Sequence, residues 1–121
     1  MKKPAPSFVE VCVYQVDPEK AIEFEGLVAR VCDHHKSFPG AIDVRYMKRT
    51  HRPGSFASAK RGEPPLRLTR AQRALTYVLY WELETPIAHG RATRSGLSLF
   101  FKEFRRCLLS PPKILLGERI V

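Results

Sequence analysis

Two stretches of this chain read as two copies of one unit, and that duplication constrains the fold more than any other feature. The first copy runs strand, helix, strand over Phe8 to Val16, Pro18 to Lys36 and Ala41 to Lys48. The second repeats the order over Leu75 to Glu82, Pro86 to Leu108 and Lys113 to Val121. A strand–helix–strand unit used twice predicts a βαββαβ plan, with an antiparallel sheet and helices on one face only. The other face of such a sheet must meet a partner, a ligand or water.

The first strand sharpens the point. Val9, Val11 and Val13 alternate with Phe8, Glu10, Cys12 and Tyr14, so both of its faces are largely apolar. A sheet open to water on one side would show a polar face there. The strongest strand, Leu75 to Glu82, behaves likewise, with Tyr77, Leu79 and Trp81 on one side and Val78, Tyr80 and Glu82 on the other. Both faces of this α+β, ferredoxin-like chain are therefore expected to be covered, one by the helices and the other by something else.

The helices carry ordinary start and stop signals. Asp17-Pro18 and Thr85-Pro86 each place a capping side chain before a proline at the first helical position. Ala21, Phe24, Leu27, Val28 and Val31 form the apolar stripe of the first helix, and Pro39-Gly40 ends it. In the second helix Leu97, Phe100, Phe101, Phe104 and Leu108 form the stripe, while Gly90 and Gly96 predict a break with Ser95 recapping the second piece.

At 121 residues, 44% of them hydrophobic, the chain is read as one domain: a first half over 7–48, a linking segment over 49–73 and a second half over 74–121. The net charge is +9, and seven of those charges come from the stretch 48–73, where Lys48, Arg49, Arg52, Lys60, Arg61, Arg67, Arg70 and Arg73 face one acid, Glu63. With its prolines and glycines, this stretch reads as a long, mobile basic loop, either solvated or functional.

Met1-Lys2-Lys3 resembles the start of a signal segment, but Pro4 and Pro6 interrupt it and no apolar region follows. No run approaches the ~20 apolar residues of a membrane span. Cys12, Cys32 and Cys107 are odd in number, far apart and set in apolar elements, so buried reduced thiols in a cytoplasmic protein are expected. Cys32, His34 and His35 have no second ligand pair and no metal is expected.

Several residues carry the resemblance to a known family: Ser37-Phe38-Pro39-Gly40-Ala41 at the turn into the second strand, Tyr80-Trp81-Glu82 ending the third, His89 eight residues after the tryptophan, and Phe100 on the same helix. In this pattern the chain resembles the antibiotic biosynthesis monooxygenase-like family of dimeric α+β barrels, over all but residues 48–73. The resemblance implies two sheets packed face to face across a dimer and a pocket for an aromatic or hydrophobic small molecule. Some relatives oxidise polycyclic phenols with molecular oxygen and no cofactor; others degrade haem with an Asn, a Trp and a His. This chain contains no Asn, which argues against haem degradation.

A cofactor-free oxygenase needs a base, or a cation that stabilises a phenolate, so that the substrate carbanion can reduce oxygen. On this reading His89 is the base and Arg45 the anion stabiliser. Trp81, Tyr80, Tyr77 and Tyr14 supply the aromatic walls, with no cofactor and no metal. Glu10 and Glu82, set in apolar strands, are expected as acid–base groups or as partners of Arg45, Arg119 or a second chain. Two other readings stand beside this one: a non-enzymatic binding dimer, and a nucleic-acid module that uses the basic loop and the strand aromatics. The third strand lacks the Gly-aromatic signature of RNA-recognition domains, which makes nucleic acid the least favoured partner.

Overall fold

Alternation along the strands and the capped helix starts set the architecture, and the computed structural model describes residues 5–121. The signal-segment reading of Met1 to Pro4 lies outside the described residues. Strand β1 (Phe8–Val16) leads through a short 3₁₀ turn (Pro18–Lys20) into α1 (Ala21–Ser37). Strand β2 (Ala41–Lys48) follows, then β3 (His51–Arg52), α2 (Phe56–Lys60) and β4 (Leu66–Arg67). The chain ends with β5 (Leu75–Leu83), α3 (Pro86–Cys107) and β6 (Lys113–Glu118).

The four long strands form one sheet in the order β2-β5-β1-β6, every pair antiparallel. This is the ferredoxin-like α+β plan read from the repeat. Both caps form as expected: the Asp17 carboxylate accepts from the Glu19 amide, and the Thr85 hydroxyl accepts from the Ala88 amide. The Pro39-Gly40 turn requires its glycine. Gly40 has φ +91°, and a Cβ there would lie 2.8 Å from that of Ala88.

Strand register divides the side chains cleanly. Glu10, Cys12 and Tyr14 of β1 share the helix-covered face with Tyr77, Leu79 and Trp81 of β5 and Val44 and Tyr46 of β2. Phe24, Leu27, Val28 and Val31 of α1 and Ala92 of α3 close the core from above. Each fully buried Leu or Phe in that layer contributes about 1.5–3 kcal/mol of transfer free energy. Two ion pairs, Arg30 with Glu103 and Arg106 with Glu23, tie α1 to α3 at the surface. The opposite face carries Val9, Val11, Val13, Val78 and Tyr80, all half-buried within the single chain, and exposed Leu115 and Met47.

Three expectations are corrected. Helix α3 does not break: it runs unbroken for 22 residues through Gly90 and Gly96. Each helical glycine costs about 1 kcal/mol, and packing of the amphipathic helix on α1 and the sheet outweighs this. Ser95 does not recap the helix; its hydroxyl bonds the His34 imidazole instead, at 2.8 Å. Strand β6 ends at Glu118 rather than Val121, because its partner β1 begins at Phe8, opposite Glu118. The segment 49–73 is more than a bare loop: β3 pairs with β4, and Ser55 caps the short α2 between them.

Candidate active site

Between the helix-covered face of the sheet and α3 lies a cavity of about 590 Å³. That is within the range of small-molecule sites, which are mostly apolar with a few convergent polar groups. Its floor is Glu10, Cys12, Tyr14, Tyr46, Leu79 and Trp81 from three strands. Its roof is Thr93, Gly96, Leu97, Phe100, Phe101 and Phe104 from α3, and His35 enters from α1.

The floor follows from register. Glu10 and Trp81 are cross-strand partners, and Val44 sits beyond Trp81 on β2. Two imidazoles lie against Trp81. His35 stacks on it at 3.8 Å between ring centroids, with the planes 2° apart, and His89 tilts against it at 4.9 Å. His89 Nε2 donates to Glu10 Oε1 at 2.7 Å, and both side chains are about nine-tenths buried. Phe8 closes over the His89 ring at 5.0 Å. Glu10 faces the cavity, while His89 stands beside it on the first turn of α3.

Burial shapes the titration of the lining. Desolvation pushes the Cys12 thiol up to about 11 and raises the Tyr14 and Tyr46 phenols out of the physiological range. Desolvation also lowers the His35 imidazole to about 4, helped by His34 and His89 nearby, so His35 is neutral at ordinary pH. Three lining residues carry a buried polar atom that no described protein group satisfies: the Tyr46 hydroxyl, the Trp81 indole N–H and the Thr93 hydroxyl. Such atoms are costly unless something bonds them, and a ligand bearing oxygen atoms would do so.

The residues singled out from sequence fall in different places. Trp81 and Tyr14 line the cavity, and His89 reaches it through Glu10. Tyr77 is buried on the same sheet face but donates to Glu25 Oε2 at 2.6 Å and does not line the cavity. Tyr80 and Arg45 lie opposite each other on the other face of the sheet. Tyr80 donates to Glu82 Oε1 at 3.1 Å, and exposed Arg45 pairs with Asp43 at 2.9 Å. Of the two strand carboxylates, Glu82 pairs with Arg119, as one of the expected alternatives had it, and Glu10 with His89. The aromatic platform of the nucleic-acid reading is not assembled, since Tyr77 and Trp81 face the helices and Tyr80 faces away.

Sequence reasoning weighed His35 only as a metal ligand and did not single out Tyr46 or Thr93 for the site. A signal for His35 was present: it continues the buried stripe Phe24, Val28, Val31 at helical spacing. Among the described residues no cluster of three His, Cys, Asp or Glu side chains is arranged to hold a metal. Among the described residues no helix is long and apolar enough to cross a membrane.

No protein-family model and no curated protein matches the sequence. Solved structures do match over nearly the whole chain. SnoaB from Streptomyces nogalater, described as a cofactor-independent oxygenase, is 18% identical at a TM-score of 0.59, covering 97% of this chain and 98% of that one. A structure described as a putative antibiotic biosynthesis monooxygenase from Bordetella bronchiseptica is 21% identical at a TM-score of 0.60, covering 97% and 100%. Another so described, from Nitrosomonas europaea, is 13% identical at 0.64, covering 99% and 96%. At these identities the likeness is one of fold: the chain has the α+β fold of the antibiotic biosynthesis monooxygenase-like proteins.

Proposed function

We propose that this protein is a cofactor-independent monooxygenase acting, as a homodimer, on an aromatic small molecule bound between the sheet and α3. The observation that carries the reading is one buried carboxylate, Glu10, facing a largely apolar 590 Å³ cavity and held by His89 at 2.7 Å. The fold it shares with SnoaB, described as a cofactor-independent oxygenase, supports the same reaction class.

The chemistry requires few groups. With an anthrone-type substrate, R₂CH₂, Glu10 takes a carbon-bound proton while His89 holds the carboxylate in place. The carbanion passes one electron to O₂, and the resulting radical pair combines as a peroxide anion. Glu10 returns the proton to the outer peroxide oxygen. Loss of water, with departure of the second C–H proton and cleavage of the O–O bond, leaves the ketone. The sum is R₂CH₂ + O₂ → R₂C=O + H₂O. Trp81, Tyr46 and Thr93 would hydrogen-bond oxygen atoms of the substrate, and Tyr14 and Phe104, stacked at 5.5 Å, would bound its ring. Arg45 and Tyr80, on the other sheet face, have no part in this scheme; they belong to the surface on which a second copy would pack.

Oxygen uptake with 1,8-dihydroxyanthrone tests the reading. Wild type should consume one O₂ per anthrone oxidised, and Glu10→Gln should lower kcat by about 100-fold, the ordinary scale of acid–base catalysis. Uptake undiminished in Glu10→Gln would remove the carboxylate from the mechanism. Saturable ligand binding without uptake in wild type would favour the binding-dimer reading.

A further inference from the structure

Against Trp81 lies a second set of hydrogen-bonding groups that the scheme above does not use. His35 lines the cavity and is 6% exposed. Its Nδ1 lies 2.9 Å from Nδ1 of His34, and Nε2 of His34 lies 2.8 Å from the Ser95 hydroxyl. His35 makes this bond through Nδ1, which leaves Nε2 on the other side of the ring. Burial rises along the series toward the cavity: Ser95 and His34 are half-buried, His35 buried.

Helix α3 makes room for this arrangement at Gly96. A Cβ at that position would stand 3.1 Å from His35 Cε1. The imidazole is thus held between the α3 backbone and the Trp81 indole. Two adjacent residues of one helix rarely meet through their ring nitrogens; here His35 turns toward the sheet and His34 toward α3, and the two Nδ1 atoms meet between them.

We propose that His35 and His34 form a proton relay leading from the cavity to Ser95, with His35 receiving the proton of a substrate phenol. The proposal rests on the small-molecule reading of the cavity and adds to it a second proton path, distinct from Glu10 and His89. In the transfer the phenol O–H breaks as a bond forms to His35 Nε2. The Nδ1 proton of His35 passes to His34 Nδ1, and the Nε2 proton of His34 passes to the Ser95 oxygen, whose own proton leaves to solvent. Every group but the phenol ends with the number of protons it began with. The phenolate that remains is the electron-rich form able to reduce O₂.

Two physical features favour transmission over storage. A neutral imidazole with one Nδ1–H directed at a second imidazole accepts at one nitrogen and donates at the other. Burial makes His35 a poor place to keep a charge, so a proton arriving at Nε2 is passed on to the wetter His34. The other titratable or charged groups around the cavity are Glu10, His89, Cys12, Tyr14, Tyr46 and Arg105. His89 tilts against the same indole that His35 stacks on, Glu10 lines the same cavity, and Arg105 is exposed on α3.

The test uses 1-naphthol as a binding probe and oxygen uptake with 1,8-dihydroxyanthrone as the rate. His34→Gln, which keeps hydrogen-bonding groups but cannot pass a proton, should bind naphthol within about threefold of wild type. In oxygen uptake it should lower kcat by about 10-fold or more with KM little changed. External imidazole should restore kcat in His34→Ala. A wild-type kcat in His34→Gln would overturn the relay while leaving the cavity reading intact. Absence of both naphthol binding and oxygen uptake in wild type would overturn both. Because His35→Gln disturbs the stack on Trp81, the His34 variants carry the test.

Discussion

His89 Nε2 donates to Glu10 Oε1 at 2.7 Å, across the join between the first turn of α3 and the middle of β1. The pair is about nine-tenths buried, and each residue accounts for the other's presence in an apolar wall. Replacing either partner should destabilise the fold by about 1–3 kcal/mol, the usual range for a hydrogen bond to a charged group. In a double-mutant cycle of Glu10→Gln and His89→Gln, the two losses should not add. Additive losses in urea unfolding would show that the contact contributes nothing of its own.

The two glycines inside α3 should respond oppositely to alanine. Gly90 is exposed, with nothing within 4 Å of an added Cβ. Gly90→Ala should stabilise the protein by about 0.5–1 kcal/mol through helix propensity. A Cβ at Gly96 would press on His35, which has Trp81 behind it at 3.8 Å and cannot retreat. Gly96→Ala should therefore lose its propensity gain and weaken naphthol binding. A higher melting temperature for both variants would show that α1 moves aside freely.

His35 makes stability pH-dependent in a definite window. Its folded pKa is lowered from 6.5 to about 4, so folding excludes the charged form. The neutral imidazole's full advantage is present above pH 6.5 and is lost as the pH falls from 6.5 toward 4, in all by about 3 kcal/mol. Wild type should lose more unfolding free energy than His35→Gln between pH 7.5 and 4. Equal losses in chemical denaturation would mean that His35 is not held neutral.

Glu82, on the other sheet face, has the opposite sign. The Ser7 hydroxyl, then the Arg119 guanidinium and the Tyr80 hydroxyl, hold its carboxyl below the ordinary value of 4.5. Its contribution is complete above about 4.5 and disappears as the pH falls through the lower folded value. Arg119 is half-exposed, so Arg119→Ala should cost only about 0.5–1 kcal/mol at pH 7. The difference from wild type should shrink in thermal melts as the pH falls below 4.5 and the Glu82 carboxyl takes up its proton; a constant gap would assign the cost to packing.

The half-buried valines of the outer sheet face predict association. Val11→Asp places a charge at the middle of β1 on the surface assigned to the second copy. Light scattering coupled to gel filtration should give about 28 kDa for wild type, twice the 13.8 kDa chain, and a monomer for the variant. A wild-type monomer across the micromolar range would remove the dimer from the proposed function.

Much of the fold was legible in the chain because it depends on local periodicity. Val9, Val11 and Val13 alternate whatever lies around them, Asp17-Pro18 and Thr85-Pro86 cap from sequence neighbours, and Gly40 marks a turn that needs positive φ. The continuity of α3 was not legible. Two glycines argue for a break, and only packing against α1 and the sheet overrules them. Trp81 and His89 were visible as unusual residues, yet their surroundings were not. Glu10 lies 79 positions from His89 and His34 lies 61 from Ser95, so neither contact leaves a mark on local sequence. Alternation places Tyr80 and Trp81 on opposite faces of β5, but which face receives the helices is decided by the handedness of the strand–helix–strand crossovers. Thus the amino-acid sequence by itself determined the order of strands and helices, through short-range sterics and apolar spacing. The tertiary structure alone decided which side chains meet at the cavity, because that depends on strand register and on how closely α3 approaches α1.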